Sequence, residues 1–461
     1  MGQTIVIIHD KQAAIEILDK KSLASSARPR MEFASNLCGF GEFIVGLKYC
    51  DELRRHRKLM HQQLGTTNLV SQFDETQLYE VSRLLLRLLE DSRDAIKHMR
   101  TESGAIILKI TYGYSIGKGD NDPLVALINR MMDNFSAAFV AGKWMVDLIP
   151  MLQYIPEYVP GMSFKRTARK WKSINEEVVD VPYRFVQRQM ASNDFRHSYV
   201  SKAIQQQIDT FAGEEPTLAA EAERDIQYTA GAMYAGASDT TTSSMSFFLL
   251  AMALFPEVQR KAQEEIDSVT GTERLPGFQD RHQLPYVEGV VKEALRWMPV
   301  APMGVAHVTD SNIVYGRYLI PKGAYLLPAH WWFLHDPDVY SHPSSFDPER
   351  YLEPRNEPDP SNVAFGFGRR VCPGRYLADS NLYLNIAQIL AVFNIGKPVD
   401  EAGAELEVTL DVTPGIIANP KQRHYRITPR SAKLAQLVRD IELEQPWERS
   451  DADHLGHTGA S

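Results

Sequence analysis

The chain is poor in cysteine. It has three in 461 residues, Cys38, Cys50 and Cys372. An odd, widely spaced set offers neither a disulfide framework nor a CxxC or Cys/His zinc pattern, and it fits a reducing compartment. Long apolar runs are also lacking. The strongest, "FFLLAMALF" from Phe247 to Phe255, is far short of the ~18–20 residues needed to span a bilayer. There is no excess of positive charge: 50 Lys and Arg against 58 Asp and Glu leave a net charge of −8, which gives no basic footprint for nucleic acid. The first residues, "MGQTIVIIHDKQAAIEIL", lack a charged start followed by a long apolar core, so they do not read as a signal peptide. No repeat is visible.

What is present is mostly helical in period. "DELRRHRKLMHQQL" and "DETQLYEVSRLLLRLLEDSRDAIKHM" carry apolar residues at i, i+3, i+4 and i+7 spacing. Helical character returns at 163–191, from Glu221 through Leu254, in "PEVQRKAQEEIDSVTG" and in "LPYVEGVVKEALRWMP". "DLIPMLQYIPEYVPGM" holds three prolines and reads as a turn-rich connection. A strand is expected at Thr4–Ile8, hairpins across "HVTDSNIVYGRYLIPKGAYLLPAH", and a last strand in "HYRITPRS". The expected fold is mainly α with minor β, a large helical domain plus a small β-sheet region. It forms a single domain over residues 1–446, with 447–461 a disordered tail.

One loop asks for chemistry. In "AFGFGRRVCPGRYLA", Cys372 stands before Pro373, a residue favoured at the first position of a helix. The cysteine is therefore expected at the N-cap, where free N–H groups and the helix dipole favour a thiolate. The glycines allow close backbone approach, and Arg370 is expected to reach an acidic group at the edge of whatever the sulfur binds. The set Phe365, Gly368, Arg370, Cys372 and Gly374, read as F-x-x-G-x-R-x-C-x-G, resembles the haem-binding loop of the cytochrome P450 family.

Further stretches resemble the same family. "KEALR" gives E-x-x-R at Glu293 and Arg296, one face of a helix, and "FDPERY" supplies Arg350. The resemblance implies a structural Glu293–Arg296–Arg350 cluster that assembles the haem pocket. "YAGASDTTTSS" resembles the oxygen-activation segment, with Ala237 where a second glycine is usual. It implies Asp239 as acid relay and Thr240 as a hydroxyl holding a water. Arg57 stands at the arginine of the W-x-x-x-R helix, with Leu53 in the tryptophan position. Together with His307, Arg57 is implied as a contact of the haem propionates. Arg54, Arg55 and Lys58 form a basic cluster on which a redox partner's acidic surface would dock.

"RPRMEFASNL", "KRTARKW", "FPEVQRKAQEEID" and "VFNIGKPVDEAG" are similar to fungal secondary-metabolism monooxygenases of the O-methylsterigmatocystin oxidoreductase type. The resemblance implies haem b with an axial cysteine thiolate, Cys372, as metal ligand. It further implies NADPH electrons supplied through cytochrome P450 reductase, with cytochrome b5 as a second donor, and a monomer that oxidises a small hydrophobic substrate. The substrate-facing segments would be 31–43, 234–236, 300–305 and 415–417. Such enzymes sit at the endoplasmic-reticulum membrane, and the family's N-terminal anchor, hinge and first elements are not found in this sequence. A cytoplasmic or peripheral-membrane location is therefore expected. An inactive haem-binding remnant and a reductase-independent isomerase or peroxygenase remain as alternatives.

Overall fold

The computed structural model describes residues 2–119, 121–140, 142–192, 195–210, 220–422 and 424–456. Helices dominate. Those of eight residues or more among the described residues are α1 (Asp51–Leu64), α2 (Asp74–Glu90), α3 (Ala95–Tyr112), α4 (Pro123–Ala138), α5 (Phe164–Ala191), α6 (Tyr199–Thr210), α7 (Ala220–Leu254), α8 (Pro256–Thr270), α9 (Pro285–Trp297), α10 (Arg375–Val392) and α11 (Ala432–Glu444). Among the described residues seven short strands accompany them: β1 (Ile5–Ile8), β2 (His307–Val308), β3 (Ile313–Tyr315), β4 (Tyr318–Ile320), β5 (Tyr325–Pro328), β6 (Phe393–Gly396) and β7 (Arg426–Pro429). β1 runs parallel to β5, with Ile5 opposite Tyr325, and β2 lies antiparallel on the other side of β5. The pairs β3–β4 and β6–β7 are antiparallel. The mainly α, minor β expectation holds.

α7 is the axis of the molecule. Its apolar second half, Met245 to Ala253, is buried with α2, α8, α9 and α10 in one core. Its first half joins α3, α4 and α5 in a second core. A helix buried on nearly all sides must still satisfy its hydroxyls. Ser238, Thr240, Thr242 and Ser246 do so by donating to the carbonyls four residues back, Tyr234, Gly236, Ser238 and Thr242, at 2.6–2.8 Å. A third core gathers β1, β5 and the turn before the cysteine loop.

The C-terminal region departs from expectation. Residues 432–444 form α11, capped by the Ser431 hydroxyl accepting from the Leu434 N–H at 3.2 Å. The expected disorder of 447–461 does not hold for 447–456. Trp447 lies over the guanidiniums of Arg83 and Arg87 on α2, at 5.0 and 4.7 Å from the ring centroid. Asp451 pairs with Arg196 at 2.5 Å, and Leu455 is buried. These cation–π and ionic contacts fix a stretch whose composition alone reads as polar and loose. Residues 457–461 lie outside the described residues.

Candidate functional site

Cys372 is held by its backbone, whose N–H donates to the Phe365 carbonyl at 2.8 Å. Gly368, at φ +55°, lies so close to the N-terminal segment that a Cβ there would meet the Leu18 carbonyl oxygen at 2.1 Å. Only glycine lets the loop seat there. The expected N-cap position needs correction. α10 begins at Arg375 with Gly374 as its cap, so Cys372 stands two residues earlier. Pro373 closes a turn before the helix rather than opening it. Burial pushes the Cys372 thiol up, while the Gly374 amide and the Arg57 and Arg375 guanidiniums act to bring it down.

Cys372, Gly374 and Phe365 line a cavity of about 380 Å³ beneath α7. From α7, Gly236, Ala237, Thr240 and Thr241 reach it; Asp239 is not among its walls. Asp239 turns to α3 instead, where Arg100 Nη2 lies 3.2 Å from its Oδ1. The sequence pair is thus divided, with the hydroxyl in the cavity and the acid behind the helix. The far part of the cavity is apolar, walled by Phe40, Phe43, Met131, Phe135, Val300 and Ile416. Residues from three of the four expected substrate-facing segments are here already, and Gly236 and Ala235 supply the fourth. Met131 and Phe135 on α4, with Ile106 and Ile107 on α3, are additions. Their helical spacing marks them as apolar but not as cavity walls.

The opposite end of the cavity is rich in cations. Arg57 donates from Nη2 to the Val371 carbonyl at 2.9 Å. Arg370 departs from expectation. Its guanidinium lines the cavity but spends its donors on the Ser26, Ile44 and Leu47 carbonyls, at 2.8, 3.1 and 2.6 Å, so it ties the cysteine loop to the N-terminal segment. Arg28, which the sequence reading passed over, is held by the Val45, Val305 and Ala306 carbonyls at 3.1, 2.8 and 2.8 Å. Its only signal was an arginine in "RPR", next to buried Ser25, Ser26 and Ala27. His307 donates from Nδ1 to the Ser25 carbonyl at 2.8 Å.

Among the described residues none of Arg28, Arg57 and Arg370 forms an ion pair. Burial, then Arg370 and Arg57, push Arg28 well below its ordinary value; burial and then Arg57 bring Arg370 down to about 10. Burial followed by Arg28 holds His307 far below its usual range. A wall of partly buried cations without salt-bridge partners beside a thiol, opening on an apolar chamber, fits a flat apolar group with anionic carboxylates. Haem is such a group. Gly374 and Gly236 leave it room, since a Cβ at either position would meet nothing within 4 Å.

The Glu293–Arg296–Arg350 cluster forms as expected, and all three residues are fully buried. Glu293 accepts from Arg296 through both carboxylate oxygens at 2.7 Å and from Arg350 Nε at 3.0 Å. Arg296 also donates to the Leu334, Pro343 and Ser345 carbonyls, each at 2.9 Å, which pins the meander before the cysteine loop. It is not part of the cavity wall. The basic cluster on α1 is reduced, because Arg55 pairs with Asp225 and Glu221 of α7 at 2.5 and 2.7 Å. Arg54 is paired with Asp51, and Lys58 is exposed. Leu53 is fully buried and leaves the tryptophan position without a donor.

The family model described as Cytochrome P450 matches residues 1–415. Among curated proteins, cytochrome P450 monooxygenase CLM2 of Gibberella zeae is 48% identical over 99% of this chain and 86% of its own length. Multifunctional cytochrome P450 monooxygenase af510 of Aspergillus fumigatus is 47% identical, over 99% and 85%. O-methylsterigmatocystin oxidoreductase of Aspergillus flavus is 38% identical, over 99% and 84%. A zebrafish cytochrome P450 solved with abiraterone has the same fold, with a TM-score of 0.70 and 22% identity over 94% of this chain and 95% of that one.

Proposed function

The chain belongs to the cytochrome P450 family and is a haem-thiolate monooxygenase, and on that premise we propose that it oxidises a small, uncharged hydrophobic molecule of fungal secondary metabolism. O2 is the oxygen source, and electrons come from NADPH through a separate cytochrome P450 reductase. Relatives named for O-methylsterigmatocystin oxidation and as multifunctional support a small-molecule substrate.

Haem bound through a cysteine thiolate supplies the chemistry of oxygen cleavage and C–H oxidation. In our reading Cys372 is the ligand, and Arg28, Arg57, Arg370 and His307 hold the carboxylates. His307 Nδ1–H is committed to Ser25, so Nε2 would donate to a carboxylate only once that anion's charge outweighs the burial and the Arg28 charge that keep the ring neutral. The Thr240 hydroxyl donates its own proton to Gly236 at 2.7 Å. Its lone pairs therefore face the cavity and can hold a water that passes protons. Asp239, paired with Arg100, stands behind as the acid that replenishes them. The apolar chamber orients substrate by shape and excludes bulk water.

We place the enzyme peripherally at the cytosolic face of the endoplasmic reticulum, through the exposed apolar residues of 145–158. Among the described residues no single helix is long and apolar enough to cross a membrane.

The observation that carries the reading is that Cys372 and Thr240 face one cavity with unpaired cations at its edge. The test is the carbon monoxide difference spectrum of the reduced protein and of Cys372→Ser, followed by product formation with a reductase and NADPH. A red-shifted Soret band in the wild type that is lost in the variant is expected. A wild-type band of the histidine-ligated kind, or thiolate haem that consumes no NADPH with any hydrophobic compound offered, would count against it.

A further inference from the structure

Among the described residues five histidines are buried: His56, His98, His307, His330 and His335. Four have a partner. His56 Nε2 meets Asp225 at 3.1 Å, His98 Nε2 the Asp91 carbonyl at 2.8 Å, His307 Nδ1 the Ser25 carbonyl at 2.8 Å and His335 Nδ1 the Trp331 carbonyl at 2.8 Å. His330, at 4% exposure, meets no partner within full hydrogen-bond geometry at either ring nitrogen, although the Ala301 carbonyl comes near enough to act on the ring. Buried polar groups are almost always paired, and an orphaned imidazole asks what it pairs with in the working protein. An apolar ring would serve packing better, for the neighbours are the rings of Phe367 and Phe333, at 5.6 and 6.5 Å between centroids.

The position of the ring says which end of the cavity it serves. His330 opens a short helix, His330–Phe333, directly after β5, and the next N–H, of Trp331, donates to the Pro302 carbonyl at 2.8 Å. That bond sets the ring against Gly304, whose φ is +58°. A Cβ on Gly304 would stand 3.0 Å from His330 Cε1 and 3.1 Å from Nε2. The residues following Gly304 are Val305 and Ala306, whose carbonyls hold Arg28, and then His307. The ring lines the cavity, between Phe367 of the cysteine loop and this cation-bearing strand. It therefore stands where the substrate-facing segment 300–305 runs into the strand that holds Arg28 and carries His307. Burial, opposed by the Ala301 carbonyl, holds His330 down at about 4, so the ring is neutral with a single N–H, for which a cofactor carboxylate would compete with that carbonyl.

We infer that His330 is a further contact of the cofactor, donating a hydrogen bond from its neutral imidazole to a haem carboxylate at the wall formed by Gly304–His307. The inference rests on haem occupying this cavity through Cys372. The stretch "PAHWWFLHDP" that carries His330 bears no haem motif of its own. The contact is a property of how β5 delivers the ring.

The test is haem transfer to excess apomyoglobin from wild type, His330→Phe and His330→Gln, each first shown to give the thiolate carbon monoxide band. Losing a hydrogen bond to a charged acceptor should make His330→Phe release haem roughly tenfold faster. His330→Gln, which keeps an amide donor, should stay within about threefold of wild type. His330→Leu replaces the phenylalanine variant if that one overfills the site. Wild-type haem retention in the apolar variants overturns the inference. So does equal loss in the apolar and glutamine variants, which would make the role one of packing. Unchanged haem release with a weakened spectral response to substrate would place the ring against substrate and overturn it too. A wild type without thiolate haem would sink the functional reading first, and this inference with it.

Discussion

Thr240 and Asp239 are neighbours in sequence and separated in space, and that separation assigns them different work. The threonine hydroxyl is in the cavity; the aspartate is behind α7 with Arg100. Thr240→Val keeps the shape and deletes the hydroxyl. We expect product per NADPH to fall about tenfold, short of the ~10² typical when a proton-transfer group is lost, since the acid behind it remains. The electrons should reappear as hydrogen peroxide, measured alongside NADPH consumption; product yield equal to wild type would remove Thr240 from proton delivery. The cysteine loop and this pair were legible because both are local motifs, set by backbone spacing within about ten residues. Arg28 and His330 were not. Their partners lie at Val305–Ala306 and Gly304, some hundreds of residues away from Arg28 and brought to His330 by the strand pairing. Even within the loop, the helix start was misjudged by two residues. Proline's preference for a first helical turn did not decide against the tight turn that Cys372 makes with Phe365.

Among the elements, α9 and the meander after β5 are bound into one unit by Glu293, Arg296 and Arg350. Removing one partner of such a buried network costs several kcal/mol because the others are left charged and unpaired. The network was legible as E-x-x-R followed by P-E-R-Y. Its carbonyl contacts to 334, 343 and 345 were not, since backbone acceptors leave no sequence mark. His335 lies beside it. Burial, and then the Arg296 guanidinium, push its imidazole down to about 4, against ~6.5 in an unfolded chain. The unfolded chain therefore takes up a proton as pH falls through about 6.5, while the folded one does not until about 4. The corresponding stability is present above pH ~6.5 and is lost progressively toward pH ~4. His335→Gln, whose amide can still donate to the Trp331 carbonyl, should flatten the decline of the urea midpoint between pH 7 and 5. A decline as steep as that of wild type would show that this histidine does not contribute. α11 escaped the sequence reading because its buried face is only Leu434, Ala435 and Val438, too few to stand out beside a polar tail.

On the scale of the whole molecule, three cores enclose the cavity, and residues 447–456 tie α2 and α3 together from outside. The cores account for most large apolar residues, but several stay exposed, among them Leu23, Leu406, Leu443 and a run at 148–158. There Leu148, Met151, Tyr154 and Tyr158 are 66, 69, 74 and 87% exposed. Ile5 and Ile7 on β1 and Val314, Tyr318 and Leu319 on the β3–β4 hairpin are exposed as well. Asp147 of the first segment accepts from the Phe33 N–H at 2.8 Å, which fixes that segment to the N-terminal region. Soluble monomers rarely leave so many large apolar side chains exposed within one short segment, and a bilayer interface is where Tyr, Leu and Met of this kind are stable. The same segment leads into α5, where Arg166 and Arg169 pair with Glu157 and Lys165 donates to the Gln153 and Ile155 carbonyls, which leaves the exposed Lys170 for anionic headgroups. We expect the protein to float with phosphatidylcholine–phosphatidylserine vesicles. Leu148→Ser, Met151→Ser and Tyr154→Ser combined should weaken binding roughly tenfold or more, from the apolar area withdrawn from the interface. The variant's thiolate carbon monoxide band should be intact, because none of the three residues lines the cavity. Flotation unchanged by the triple substitution would mean that this face covers something other than lipid, and the enzyme's access to hydrophobic substrate would then have to come through water.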